Sequence, residues 1–156
     1  NYKRFVREYA KDRVKDLETP GSTLNENGEK VGENEGYINY TIGQRRGIGL
    51  SSPDPLYVKK IDPKDNSITI TKKNSLYSKQ CYISNINWLN SSFELPIDLF
   101  AQIRYNGAVS KVSIVDDNKK ILASFSEPQL AITPGQSIVF YDKNNTLQGG
   151  GIIELI

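Results

Sequence analysis

The sequence contains no histidine. That excludes Ser-His-Asp and Cys-His centres, and any histidine-bearing zinc site, within this chain. It contains no methionine either, so the expectation is a chain that is processed or cut from something longer. A single cysteine, Cys81, cannot close an internal disulfide, which favours a reducing compartment. No apolar run reaches the roughly 18 residues that a membrane-spanning helix needs. Neither sign of charge is in large excess. Lys and Arg number 20 against 18 Asp and Glu, a net charge of +2, so composition does not mark a bulk polyanion binder. What is present is 156 residues, 37% of them hydrophobic, enough for a real core without disulfide help.

The charge is unevenly placed. Residues 1–16 carry +3, residues 17–55 carry −3, residues 56–81 carry +4 and residues 82–156 carry −2. This fits a mixed surface that happens to cluster, or basic segments that face a nucleic acid.

Phe5, Val6, Tyr9, Ala10, Val14 and Leu17 recur at helix spacing, and Pro20-Gly21 stops that pattern. From Ser22 onward the signals are β. Asn25 to Gly28 is a turn, and Tyr37 to Thr41 alternates as a strand. Leu56–Ile61 and Ser67–Thr71 form a hairpin across Asp62-Pro63-Lys64-Asp65-Asn66. Six more strands follow: 81–89, 99–105, 109–115, 120–125, 136–141 and 151–155. Pro96, Pro128 and Pro134 are placed in connections, where they break no ladder. The predicted class is mainly β: a small β-rich domain, a six-stranded antiparallel β-barrel and one N-terminal helix. The divisions are 1–19 for the helix, 20–78 for the central domain and 79–156 for the barrel.

Tyr40-Thr41-Ile42-Gly43-Gln44-Arg45-Arg46-Gly47-Ile48-Gly49-Leu50 is the most unusual stretch. Its glycines allow close backbone approach to a ligand, and its arginine forks suit phosphate oxygens and guanine edges. It lacks the Gly-Lys-Ser/Thr end of a nucleotide loop, and simply solvated arginines fit equally well. Arg104-Tyr105 at a strand end suits stacking on a base beside a phosphate contact. The pattern alone favours a half-buried tyrosine with a solvated arginine. Gln136, in Thr133-Pro134-Gly135-Gln136, can read a base edge, although ordinary turn chemistry suffices. Gly149-Gly150-Gly151 suits close backbone packing in a barrel better than a phosphate cradle. Cys81 has no histidine to activate it and reads as structural. Glu29, Glu33 and Glu35 read as a solvated loop with no metal-site spacing.

Several stretches together resemble one family. They are Pro20-Gly21, Gly28, Val31-Gly32-Glu33, Gly36, the Tyr40–Leu50 stretch, Leu56-Tyr57-Val58 and Ile103-Arg104-Tyr105. Pro128-Gln129, Ala131 to Gln136, Val139 to Asp142 and Leu147 to Glu154 complete them. In order and spacing the chain is similar to the C-terminal part of bacterial tRNA-specific 2-thiouridylases, the tRNA-uridine 2-sulfurtransferases. The resemblance implies a cytoplasmic enzyme with an N-terminal ATP-binding domain, a small central domain and a translation-factor-like C-terminal barrel. It implies adenylation of the wobble uridine, position 34, at its C2 oxygen, then replacement of that oxygen by sulfur from a cysteine persulfide.

The family's ATP loop and both its catalytic cysteines are absent, the second of them expected shortly before Asn1. The implied ATP, with magnesium, therefore belongs to a missing domain, and this chain alone is expected to be inactive. It is expected to carry no catalytic residue, no metal site and no cofactor of its own. The resemblance implies tRNA contacts by Arg104, Tyr105 and Gln136, and an active-site border or tRNA contact at Gln44, Arg45 and Arg46. Implied partners are tRNA and a sulfur-relay donor protein, with no membrane, and the chain is expected to be a monomer. Asn34 stands where members often carry His. The other hypothesis from the sequence is a stand-alone barrel that binds RNA or another protein.

Overall fold

A computed structural model describes residues 19–89 and 94–154. The helix expected over 1–19 falls almost entirely outside the described residues. The chain divides into two compact units, at Leu76 and Tyr77. No helix among the described residues is long and apolar enough to cross a membrane.

The first unit is a four-stranded sheet in the order β2-β1-β4-β3. Its strands are β1 (Gly21–Leu24), β2 (Lys30–Asn34), β3 (Leu56–Asp62) and β4 (Ser67–Lys72). β1 runs parallel to β4 and the other pairs are antiparallel. Isoleucines at alternate positions of β4 place Ile68 and Ile70 in the core, beside Val58, Tyr40 and Ile48. The expected turn after β1 is built by Asn25, whose Oδ1 accepts the Asn27 and Glu29 N–H groups at 3.0 Å each. The expected hairpin over 62–66 is present, with Asp62 Oδ1 accepting Lys64 N–H at 3.1 Å.

Two expectations are corrected here. Tyr37–Asn39 is a 3-10 turn and not part of a strand. Side-chain amides supply the reason. Asn34 Oδ1 accepts Gly36 N–H at 2.8 Å and Asn66 Oδ1 accepts Tyr37 N–H at 3.3 Å. These bonds occupy donors that a strand would offer to a neighbour. Asn34 also donates to Ser22 O at 2.9 Å, so its side chain serves the fold. The second correction is Pro128, which lies inside a strand (β8, below). There the pairing with β5 jumps from Gln80–Ser124 to Ser78–Gln129, an interruption that tolerates a missing N–H.

The second unit is a closed barrel of six strands, as expected. They are β5 (Tyr77–Trp88), β6 (Ile97–Gln102), β7 (Ser110–Asp117), β8 (Lys120–Leu130), β9 (Ser137–Tyr141) and β10 (Leu147–Glu154). They close in the order β10-β5-β8-β7-β6-β9, and every neighbour is antiparallel. Alternate residues fill the interior: Cys81 and Ile83, Leu99 and Ala101, Val112 and Ile114, Ala123 and Phe125, Ile138 and Phe140. The ring of Trp88 packs against Phe140 at 5.2 Å.

β10 meets both of its neighbours through glycine. A Cβ on Gly151 would lie 2.6 Å from Ile83 Cγ2 and 2.9 Å from Ser84 O. A Cβ on Gly150 would lie 2.8 Å from Ile138 O. The run is therefore a packing device, as its sequence suggested.

Two outcomes follow for stability. Gly151→Ala should lower stability by about 1–3 kcal/mol through overpacking, measured by denaturant unfolding. In the first unit, a hydrogen bond from Lys59 Nζ at 2.6 Å, with a weaker one from Ser75 Oγ at 3.3 Å, holds the Glu26 carboxyl below its ordinary 4.5. A depressed folded pKa means that this support is complete above pH 4.5 and is lost as the pH falls through the folded value. Glu26→Gln should flatten the fall in melting temperature below pH 4.5.

Candidate nucleic-acid interface

Arg104, Tyr105 and Gln136 come from two separate turns, and the barrel brings both to one of its ends. β6 stops at Gln102, earlier than the sequence suggested, and the chain turns over Arg104 to Gly107. Gly107 N–H donates to Arg104 O at 2.9 Å. Gln102 explains the early stop. Its Nε2 donates to Tyr105 O at 3.1 Å and Gly107 O at 2.8 Å, so the turn hangs from a side-chain amide. Tyr105 is 95% exposed. The half-buried tyrosine that the pattern alone favoured is therefore not found.

Arg104 is held from the other turn. Its Nη2 donates to Ala131 O at 2.8 Å, and Thr133 Oγ1 donates to the same oxygen at 2.9 Å. Ala131 is buried, with φ +48°, a left-handed backbone uncommon for a residue with a side chain. Pro134 and Gly135 (φ +82°) then make the next turn, closed by Gln136 N–H to Thr133 O at 3.3 Å. Backbone bonds between Gln136 O and Ile153 N–H, and between Gly135 N–H and Ile153 O, each 2.9 Å, fix that turn to β10. The Gln136 side chain is exposed.

Sequence reasoning missed two apolar residues at this end. Tyr77, at the start of β5, is 45% exposed, and Val109, just before β7, is 44% exposed. Charge is modest here. Arg104, Lys79 and Lys111 share the region with Glu127 and Glu154, while Asp98, Asp116, Asp117 and Asp142 lie toward the other end. Aromatic surface and directed hydrogen bonds are what this end offers a ligand, more than a strong positive field.

The glycine-rich stretch lies in the first unit, between buried Tyr40 and Ile48. Gly43 N–H donates to Val58 O at 2.7 Å and Val58 N–H to Gln44 O at 2.9 Å, which ties the turn to β3. The Gln44 side chain is used within the turn. Its Oε1 accepts Thr41 N–H at 3.0 Å and its Nε2 donates to Arg46 O at 2.9 Å. Gly43, Gly47 and Gly49 take φ of +85°, +75° and +81°, which β-carbon-bearing residues adopt only with strain. Arg45 and Arg46 are exposed. A cleft of about 250 Å³ beside them is lined by Arg45, Gly47, Gly49, Ser52 and Asp54.

Half of the lysines over 56–81 are paired with carboxylates. Lys59 pairs with Glu26 at 2.6 Å, Lys60 with Asp62 at 3.2 Å and Lys72 with Asp54 at 2.7 Å. Lys79 donates to Ser126 O at 2.8 Å. Glu29 and Glu33 are likewise engaged locally, with Asn25 and Lys30. Cys81 is 1% exposed inside the barrel, and burial pushes its thiol up to about 11. It is a core residue with almost no thiolate at neutral pH.

A sheet unit followed by a closed antiparallel barrel, with its polar and aromatic side chains on pinned turns, defines a tandem of two β domains. Family models identify both. Residues 3–72 match the tRNA methyl transferase PRC-barrel domain and residues 78–153 the aminomethyltransferase beta-barrel domain. A tRNA-specific 2-thiouridylase MnmA of Nostoc is 38% identical over 136 residues, which are 86% of this chain and 38% of that protein. Proteins of that name in Thermoanaerobacter (numbered 2 there) and Halothermothrix orenii are each 40% identical over 99% of this chain and 42% of their own length. The chain belongs to the tRNA-specific 2-thiouridylase family. It spans about two-fifths of the length of these curated relatives.

Two outcomes check this geometry. Gln102→Ala removes two hydrogen bonds of about 1 kcal/mol each, so chymotrypsin cleavage after Tyr105 should quicken roughly thirtyfold, while the barrel stays folded with a melting temperature lower by several degrees. A thiol reagent at pH 8 should leave Cys81 unlabelled in the folded chain and label it at once in denaturant.

Proposed function

We propose that this chain is the tRNA-holding portion of an enzyme that replaces the C2 oxygen of a tRNA wobble uridine with sulfur. The relatives' name supplies the class of reaction, a 2-thiolation of tRNA. Among the described residues, those singled out from the sequence suit a grip better than they suit the reacting groups. The Gly43–Gly49 turn does not fit an ATP site. The chain from Leu50 to Pro55 carries no helix, and no Lys-Ser/Thr pair ends the turn. Cys81 is sealed in the barrel and does not fit a persulfide carrier. ATP use, with magnesium, and sulfur transfer from a donor protein then fall to other parts of a cytoplasmic enzyme, and this chain alone is inactive.

The observation that carries this proposal is Tyr105. A tyrosine at 95% exposure contributes almost nothing to a core, yet its turn is hung from Gln102 and flanked by an anchored arginine. A bare aromatic ring on a held backbone suits stacking on an unpaired base. Arg104 uses one N–H on Ala131 O, which leaves others to meet a phosphate or a base edge. Gln136 can donate and accept at a base edge on the same barrel end. Together they would hold an anticodon loop whose extruded uridine must meet the reacting groups elsewhere.

Binding of this chain to a tRNA with a wobble uridine tests the proposal. Tyr105→Ala should cost about 1–3 kcal/mol, and Tyr105→Phe should retain most of the affinity. Arg104→Ala should cost a similar amount if the contact is specific. Wild-type affinity in both alanine variants would refute this grip.

A further inference from the structure

The barrel end has aromatic surface but little net positive charge, whereas an RNA ligand carries a phosphate at every nucleotide. In the first unit Lys30, Lys59, Lys60 and Lys72 each pair with a carboxylate within 3.3 Å. Lys64 and Lys73 stand apart from one another, at opposite ends of β4. Arg45 and Arg46 differ from all of these. They are adjacent and exposed, and among the described residues neither guanidinium makes an ion pair or a hydrogen bond.

Their backbone is fixed with unusual care for an exposed turn. Four hydrogen bonds of 2.7–3.0 Å run between Gly43 or Gln44 and the flanking chain, and three of them involve Gln44. A fifth runs from Gln44 Nε2 to Arg46 O, at 2.9 Å. A Cβ on Gly49 would meet nothing within 4 Å and one on Gly47 only Gln44 Nε2 at 3.8 Å. Those glycines are therefore required by their positive φ and not by crowding, which leaves open space along the turn. Asp54, on the cleft beside Arg45, is bound to Lys72 at 2.7 Å and so does not neutralise the arginines. A pre-shaped turn that presents two unpaired forks beside open space suits phosphate oxygens.

We propose that the Arg45–Arg46 turn is a second RNA contact, binding backbone phosphates without regard to base sequence. This rests on the proposal that the partner is RNA, and it assigns the two units different work. The barrel end stacks on and reads bases, the turn answers charge, and Gln44 is a positioning residue that holds the turn.

The test compares the whole chain with its Arg45→Gln/Arg46→Gln and Arg45→Lys/Arg46→Lys double variants. Affinity for a tRNA transcript is measured from 50 to 200 mM salt, with a second tRNA lacking the wobble uridine as a control. In the glutamine variant the slope of log affinity against log salt should become shallower by about 1–2, and binding should weaken equally for both RNAs. The lysine variant should keep the wild-type slope, and all three proteins should melt together. An unchanged slope in the glutamine variant, with wild-type binding intact, overturns the phosphate contact and leaves the barrel grip standing. Loss confined to one tRNA at constant slope also overturns it, because that marks a base contact. Failure of the wild-type chain to bind either RNA removes both proposals together.

Discussion

The barrel closes because β10 can lie against β5 on one side and β9 on the other, and glycine permits that approach. Gly150 and Gly151 leave no room for a β-carbon, whose position is already taken by Ile138 O, Ile83 Cγ2 and Ser84 O. Closure in turn fixes where the strands end. Within the barrel, the antiparallel pairing of β6 with β9 brings the turn after β6 and the turn before β9, more than twenty residues apart in sequence, to one end. The candidate grip is thus a consequence of strand pairing across the barrel, and no single segment contains it.

One device recurs at three of the turns where the chain leaves regular structure. A side-chain amide substitutes for a missing backbone partner. Gln102 carries the turn of Tyr105, Gln44 carries the turn of Arg45 and Arg46, and Asn34 and Asn66 cap the 3-10 turn at Tyr37. Each amide both satisfies and orients a backbone that would otherwise be solvated and variable. The exposed side chains on these turns are consequently presented in defined places, at little cost in ordering when a ligand arrives.

Much of this was legible in the sequence. Alternation in Ser67–Lys72 and in the barrel strands is a local, period-two signal, and the Asp62–Asn66 turn chemistry names its own hairpin. What the sequence concealed depends on residues far apart. Lys59 looks like part of a basic stretch until Glu26, 33 residues earlier, is found beside it. Tyr37–Thr41 alternates like a strand, but the buried amide of Asn34 and the Asn66 side chain claim its entry. Arg104 and Tyr105 were identified by resemblance. Their presentation was hidden, because it depends on Gln102 close by and on the Ala131 carbonyl 27 residues away. Tyr77 and Val109 gave no signal, since an apolar residue at a strand's edge reads as core until the barrel shows it bare.

The turn around Gln44 has an evolutionary consequence. Its conformation depends on Gln44, the glycines and the backbone of Val58, whereas its charge resides in the side chains of residues 45 and 46, which support nothing else. Shape and charge are therefore separately heritable. A lineage can adjust how strongly this surface attracts a polyanion, one substitution at a time, without passing through a misfolded intermediate. A screen that scores only folding would class those two positions as silent.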